Sequence, residues 1–320
     1  VQRIPREKAL NYMLSKDTAP VIRVKPEERF VLETEDAFSG RIKSEKDLLT
    51  PEHQHPLFDY EPELANPLAG PVYVKGVEKG DLLVVKIEKI IPAERGATAI
   101  KPGQGALSDS HKWSEIFREY YTHITRNKPG PTGTTRDGKV FYTDKISWNL
   151  TPFIGTIGVA PDVEVETSGV GQGVWGGNWD CRDIKEGSLI YLNCFHKGGL
   201  LYVGDVHGTQ GDGEWSGIAN EVQAEVTLSC NIIKNKKIPY ARIEKNESII
   251  SLYAGKPLED AVNKAITHLL EWLVDEYGMD ARDAYIQIAI NPGFRINIYQ
   301  MVALGKLQYT VGAEFPKEYL

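Results

Sequence analysis

At 320 residues, with 41% hydrophobic and 25% charged side chains, the chain has the make-up of a soluble globular protein and can bury one large core or two moderate ones. Its formal net charge of −7 argues against a nucleic-acid partner, which would require a basic face. No run of about eighteen apolar residues occurs, so no membrane span is expected, and Val1-Gln2-Arg3-Ile4-Pro5-Arg6-Glu7 has no apolar signal core.

In chain order, Arg29-Phe30-Val31-Leu32-Glu33-Thr34 is β-compatible and runs into Glu35-Asp36-Ala37-Phe38-Ser39-Gly40, where Asp36 reads on its own as a turn-capping carboxylate. His53 and His55 are two residues apart and would face one side of an extended chain, yet their Pro-flanked segment reads as a surface loop. The stretch from Gly80 to Pro92 is a strand, entered by Gly-Asp, rich in β-branched residues and stopped by Pro92. Lys185 to Asn193 echoes it, with a charged residue, a glycine, a small polar residue, a leucine and then an apolar run. The echo suggests two related β-sandwich or barrel-like units, about 20–160 and 161–320, within a single domain covering 1–320. Between them, Pro92 to Leu150 is the least regular region. Lys101 to Gly105 and Pro129 to Gly138 are loops by composition, and His111 to Tyr121 suits a short amphipathic helix with Trp113, Ile116, Phe117 and Tyr120 on one face. A lid or an interface is the expected role of this region, with His111 a surface histidine.

The apolar run Leu200 to Val203 then enters Gly204-Asp205-Val206-His207-Gly208-Thr209-Gln210-Gly211-Asp212-Gly213-Glu214, which interleaves three carboxylates, one imidazole and one amide with four glycines. Carboxylates this dense repel one another unless a cation or hydrogen bonds offset the repulsion. Oxygen ligands with a neutral imidazole suit zinc, manganese or iron, although the same composition also suits a solvated hairpin loop. Glu221 to Cys230 alternates polar and apolar residues as a half-buried strand, with Glu221, Gln223 and Glu225 on its polar face. Pro257 to Tyr277 is a helix packed on a sheet, with Leu258, Val262, Ile266, Leu269 and Leu273 at helical spacing and Gly278 as its terminator. Asp280 to Tyr285 reads as a capped short helix leading into a strand, Ile286 to Ile290. The sum is a mainly β fold with some α (α+β), closing with a helix-plus-strand segment. Cys181, Cys194 and Cys230 are odd in number with no Cys-x-x-Cys spacing, so buried free thiols and a cytoplasmic location are expected.

The stretch Gly204 to Glu214 resembles the signature Gly-Asp-x-His-Ala-x-Gln-Gly-Asp-Gly-Glu of the acetamidase/formamidase family. Three other blocks resemble family segments in the same order: Asn66-Pro67-Leu68-Ala69-Gly70-Pro71-Val72-Tyr73-Val74, Thr151 to Pro161, and Gly176-Gly177-Asn178-Trp179-Asp180. The resemblance runs from about Phe30 to Val274. It also covers an Asp at Asp36 and a Glu at Glu221, closing the block Ser216 to Glu221. Ile290 to Ile296 departs from the family, keeping its Arg and Ile but lacking its Asp.

The resemblance implies hydrolysis of short linear amides to a carboxylic acid and ammonia. No Gly-x-Ser-x-Gly elbow supports a serine amidase, so a metal route is expected, with a divalent ion of the zinc kind and water as nucleophile. The candidate ligands are Asp180, Asp205 and His207, with Asp36 a fourth. Glu221 is the candidate base that takes a proton from the activated water and delivers it to the leaving nitrogen, and Asn178 and Gln210 are candidates for binding the substrate amide. Trp179, Trp215 and Phe294 stand at or near motif positions, and they either repack the core or shape a pocket for a larger or cyclic amide. The rival is a non-catalytic β-rich module in which Asp205, Asp212 and Glu214 hold a structural calcium. A homodimer or larger homo-oligomer is expected.

Overall fold

The computed structural model describes residues 1–50, 65–130, 137–163, 167–302 and 304–320. Among them, eighteen strands join into one hydrogen-bonded sheet that curls into a half-barrel, accompanied by two α-helices near the C-terminal end. The mainly β expectation with its closing helix-and-strand segment is met. His53 and His55, and most of the Pro129–Gly138 loop, lie outside the described residues.

The sheet is organised around two long strands, Leu82–Ile100 and Glu221–Ile233, which pair antiparallel along most of their length. The first does not stop at Pro92. Pro92 sits opposite Ala224 where the register shifts, and a residue without an N–H is tolerated at such an irregularity. Beyond it, Arg95 to Ile100 takes a second partner, Tyr121–Lys128, while Gly96 and Ala97 still pair with Val222 and Glu221. The expected helix over His111 to Tyr121 is reduced to one 3₁₀ turn, Ser114–Phe117, with Trp113 and Ile116 exposed, and Tyr121 already belongs to the next strand, opposite Ile100. The region read as irregular therefore holds four stretches of strand among its described residues.

The two echoing segments pair with each other, Leu189–Asn193 running antiparallel against Leu82 to Lys86. Their entry turns are reciprocal. Gly80 N–H donates to the Cys194 carbonyl and Cys194 N–H to that of Asp81, both at 2.9 Å, while Gly187 N–H donates to Ile87 at 2.8 Å and Ile87 N–H to Ser188 at 3.0 Å. Gly80 and Gly187 share a left-handed backbone, φ 91° and 90°.

A large apolar core, including Phe30, Leu32, Ile90, Ile157, Trp179 and Val226, fills the curl. Helix α1, Leu258–Asp275, packs on the strands Ser248–Gly255 and Tyr309–Pro316. Its buried face is Ala261, Ala265, Leu269, Trp272 and Leu273, with Leu258, Val262 and Ile266 only partly covered. Two small alanines let the helix lie close to the sheet, which rotates the buried stripe away from the larger aliphatic residues. Pro257 is the N-cap, and Gly278 (φ 69°) ends the helix with its N–H on the Val274 carbonyl. The expected strand Ile286 to Ile290 is instead the second half of helix α2, Ala281–Ile290. The Asp280 carboxylate caps it, accepting from the N–H groups of Arg282 and Asp283, and Ala284 and Ile288 face the core at helical spacing. No helix among the described residues is long and apolar enough to cross a membrane.

Candidate active site

The strand Leu201–His207 carries Asp205 and His207 on one side, and it lies between Phe153–Val159 and the start of Glu221–Ile233. In that pairing His207 is the direct cross-strand partner of Glu221. The intervening loop folds a 3₁₀ turn, Asp212–Glu214, in which Gly213 (φ 80°) and Glu214 (φ 46°) turn the Glu214 side chain into the interior. Asp180 arrives from a third direction, just beyond the strand Gly176–Asn178, with its N–H on the Gly155 carbonyl at 3.1 Å.

These segments bring five titratable side chains together. His207 Nε2 lies 3.3 Å from Glu221 Oε2, 3.4 Å from Asp205 Oδ1 and 3.9 Å from Asp180 Oδ1, and all four residues are buried. Ligand atoms of Asp180, Asp205 and His207 fall within 4.8 Å of one another, as do those of His207, Glu214 and Glu221. Three of the acids, Asp180 (φ 47°), Asp205 (φ 55°) and Glu214, hold left-handed backbone. That conformation is costly for residues other than glycine and is concentrated at functional sites. Room for the carboxylates comes from Gly155, where a Cβ would sit 2.7 Å from Asp205 Oδ2 and 2.9 Å from Asp180 Oδ1.

Neutral donors hold the acids from behind. Asp205 Oδ2 accepts from Asn66 Nδ2 at 2.8 Å and from the Thr156 hydroxyl at 3.0 Å, which leaves Oδ1 toward His207. Asp180 Oδ2 accepts from Gln300 Nε2 at 3.1 Å, and Glu221 Oε1 accepts from the Ala219 N–H at 2.9 Å. Gln210 Nε2 donates to the carbonyls of Asp180 and Tyr299, so its Oε1 faces His207 Nδ1 at 2.8 Å. Nδ1 is therefore the protonated nitrogen, and Nε2 points at the carboxylates.

Asp180 Oδ1 and Glu221 Oε2 are buried without a hydrogen-bond partner. Burial, and then the neighbouring Asp205 charge, push the Asp180 carboxyl up to about 7. Burial, and then Asp180, hold Glu214 well above the carboxylate range, and burial raises Glu221 although His207 opposes it. Burial alone would depress the His207 imidazole, but Glu221 and Asp205 outweigh it and hold it well above its ordinary value. Four acids around one imidazole form a site short of positive charge. Divalent cations relieve such shortages, and the donor set of carboxylates plus a neutral imidazole nitrogen fits one.

The group opens into a cavity of about 530 Å³ that also reaches Asn66, Asn178, Phe38, Arg41, Ile218 and Leu307. Asp36 is not in the cluster. Its Oδ1 accepts from the N–H groups of Phe38 (2.9 Å) and Gly40 (3.0 Å), the turn-capping role. Gln210 does not line the cavity, being engaged with His207 and two carbonyls. Asn178 does line it, with its amide tied to the Gly169 carbonyl at 2.8 Å and the Thr156 hydroxyl at 3.2 Å. None of the three aromatics expected near the substrate lines it: Trp179 is fully buried in the main core, Trp215 is 53% exposed, and Phe294 packs beside α1 and α2. Asp212 pairs with Arg182 at the surface, so the calcium trio Asp205, Asp212 and Glu214 does not assemble. His111 is exposed. Asn66, Thr156 and Gln300 were not singled out from the sequence, and Glu214 was singled out only with Asp212 as a calcium ligand. Glu214 closes the signature, but only the Gly213 turn shows that it faces inward, and no sequence pattern marks Gln300.

The curled β fold thus presents to a cavity a buried carboxylate–histidine cluster with the donor set to hold a metal ion. Residues 6–170 and 170–302 match the Acetamidase/Formamidase family, and the chain belongs to that family of amidohydrolases. An acetamidase from Mycolicibacterium smegmatis is 27% identical over 86% of this chain and 84% of its own length. A putative formamidase from Schizosaccharomyces pombe is 27% identical, but the match spans about half of each chain, 52%. The crystal structure of an acetamidase from Yersinia enterocolitica superposes with a TM-score of 0.86 at 31% identity, over 99% of this chain and 92% of that one. An acetamidase structure from Bacillus halodurans gives 0.85 at 26% identity, over 99% and 98%.

Proposed function

We propose that this protein hydrolyses the C–N bond of non-peptide amides to a carboxylic acid and ammonia, with a divalent ion of the zinc kind held by Asp180, Asp205 and His207. The observation that carries the reading is the convergence of two buried oxygens with no hydrogen-bond partner, Asp180 Oδ1 and Glu221 Oε2, on the Nε2 side of His207. An ion entering there would displace the Nε2 proton that the surrounding carboxylates favour, and with Nδ1–H kept on Gln210 the lone pair so freed is the donor zinc prefers and calcium does not. When bound, such an ion supplies Lewis acidity to the amide carbonyl and to the attacking water.

The side chains of the site do the rest. Glu221 is held by one oxygen on the Ala219 N–H, and its other oxygen faces the reacting centre. It accepts the proton that water loses as the C–O bond forms, and returns it to the nitrogen as the C–N bond breaks. Glu214 lines the cavity beside these groups, and in its protonated form it would donate a hydrogen bond to the substrate. Asn178 borders the cavity where an amide would sit. Three buried free cysteines fit a reducing, cytoplasmic setting.

The test is ammonia release from simple amides before and after chelation, with metal content measured in parallel. Loss of turnover on chelation and recovery with zinc, manganese or iron is expected. Full turnover in a demonstrably metal-free preparation sinks the proposal, and recovery with calcium alone sinks the choice of ion.

A further inference from the structure

The cavity is far larger than a short amide needs. Its volume of about 530 Å³ lies in the range of sites that enclose molecules many times the size of acetamide. The space beyond the cluster is apolar and built into the fold: Phe38, Leu49 and Ile218 line the cavity and belong to a buried cluster with Ala37, Ala97 and Ala99. Leu304 and Leu307 form further apolar wall.

The cavity wall carries cations as well as acids. The acids gather around His207, and the other charged residues bordering the cavity are Arg41, Lys101 and Lys306. Arg41 is half-buried, and its Nε donates to the Phe38 carbonyl at 2.8 Å, which fixes the guanidinium against the wall. It has no carboxylate partner among the described residues. A guanidinium placed this way matches the two oxygens of a carboxylate.

We infer that the substrate is an elongated primary amide, with an apolar stem of several carbons and an anionic group at the end remote from the amide. The inference rests on the amidohydrolase reading of the site. The amide lies against the acidic cluster, the stem against Phe38, Leu49 and Ile218, and the anionic end toward Arg41. A positively charged end is disfavoured by the Arg41 guanidinium.

The experiment compares kcat/KM for acetamide, hexanamide, adipic acid monoamide and the hexanamide with a terminal amine, using the full chain loaded with metal. The expected order is adipic monoamide, then hexanamide, then the other two, with each of the first two steps about tenfold or more, the scale of well-matched pocket contacts. R41A should shrink the advantage of adipic monoamide over hexanamide. Independently of turnover, adipate should raise the melting temperature more than hexanoate at equal concentration. If R41A does not fold, the wild-type order and the melting shifts decide. Acetamide matching or exceeding the longer amides, or the amine-ended amide exceeding the anionic one, overturns this inference and leaves the amidohydrolase reading in place. No ammonia from any of the four overturns both.

Discussion

His207 and Gln210 are three residues apart, and the histidine ring donates from Nδ1 to the glutamine carboxamide oxygen at 2.8 Å. The same carboxamide donates to the main-chain carbonyls of Asp180 and Tyr299, so one side chain ties the imidazole to the segment bearing Asp180 and to the strand Arg295–Gln300. Partners of this kind set both the tautomer and the aim of a ligating histidine.

Replacing that partner tests it. Q210L removes the acceptor for Nδ1 and both carbonyl contacts, and zinc affinity is expected to fall about 10–100-fold. Competition titration against a chromogenic chelator reads this directly. Wild-type affinity in Q210L would mean that Gln210 only braces its loop.

Glu221 and Glu214 should behave differently from the ligands. E221Q keeps the contact with the Ala219 N–H but loses the base, so metal content is expected to stay while kcat falls roughly 10²–10⁴-fold. H207A should lose both metal and turnover. Normal turnover in E221Q would transfer the role of base to another acid, and E214Q measured alongside shows whether Glu214 takes it.

Gly155 predicts a defect without touching any chemical group. In G155A the new methyl would lie within 3 Å of both Asp205 Oδ2 and Asp180 Oδ1, so the carboxylates must part. The expected stability cost is about 1–3 kcal/mol, as for other insertions of a methyl into packed space, and metal binding should weaken. Calorimetric metal titration of G155A unchanged from wild type would show that the carboxylates move freely.

Asp36 gives a pH signature. Burial pushes its carboxyl from 3.8 to about 6 in the folded protein, although two N–H groups favour the charged form. Between those values the folded chain holds the proton that the unfolded chain has released. Stability therefore falls as pH rises from about 4 through 6, by at most about 3 kcal/mol from this group. D36N, which keeps an acceptor oxygen for the Phe38 and Gly40 N–H groups, should remove that slope. Denaturant midpoints at pH 4, 5, 6 and 7 for both proteins check it, and parallel curves would rule Asp36 out as the source.

Much of this was legible in the sequence because the signals are local. The signature loop, the Asp280 cap and the Gly278 terminator each announce themselves within a few residues. The i, i+2 spacing of Asp205 and His207 set both on one side of a strand, as found. What was hidden depends on register between distant segments. Asn66 reaches Asp205 across 139 residues and Gln300 reaches Asp180 across 120, and neither contact leaves a trace in composition. Ile286, Ile288 and Ile290 alternate as a strand would, yet only Ile288 is buried, because the capped helix preceding them simply continues. The aromatic substitutions were assigned to the pocket by nearness in sequence to motif residues, but Trp179 points into the core from the residue next to Asp180.

The reciprocal turns at Gly80 and Gly187 bear on how the chain can be divided. Each echoing strand completes the hydrogen bonding of the other's entry turn, and Leu82 to Lys86 is zipped to Leu189–Asn193. A fragment ending between them would carry a bare row of N–H and C=O groups along an apolar strand, and such a row recruits whatever extended chain is nearest. In a crowded preparation of one half, the nearest is another copy of the same half. Severed pieces of this protein should therefore precipitate separately and regain solubility when produced together.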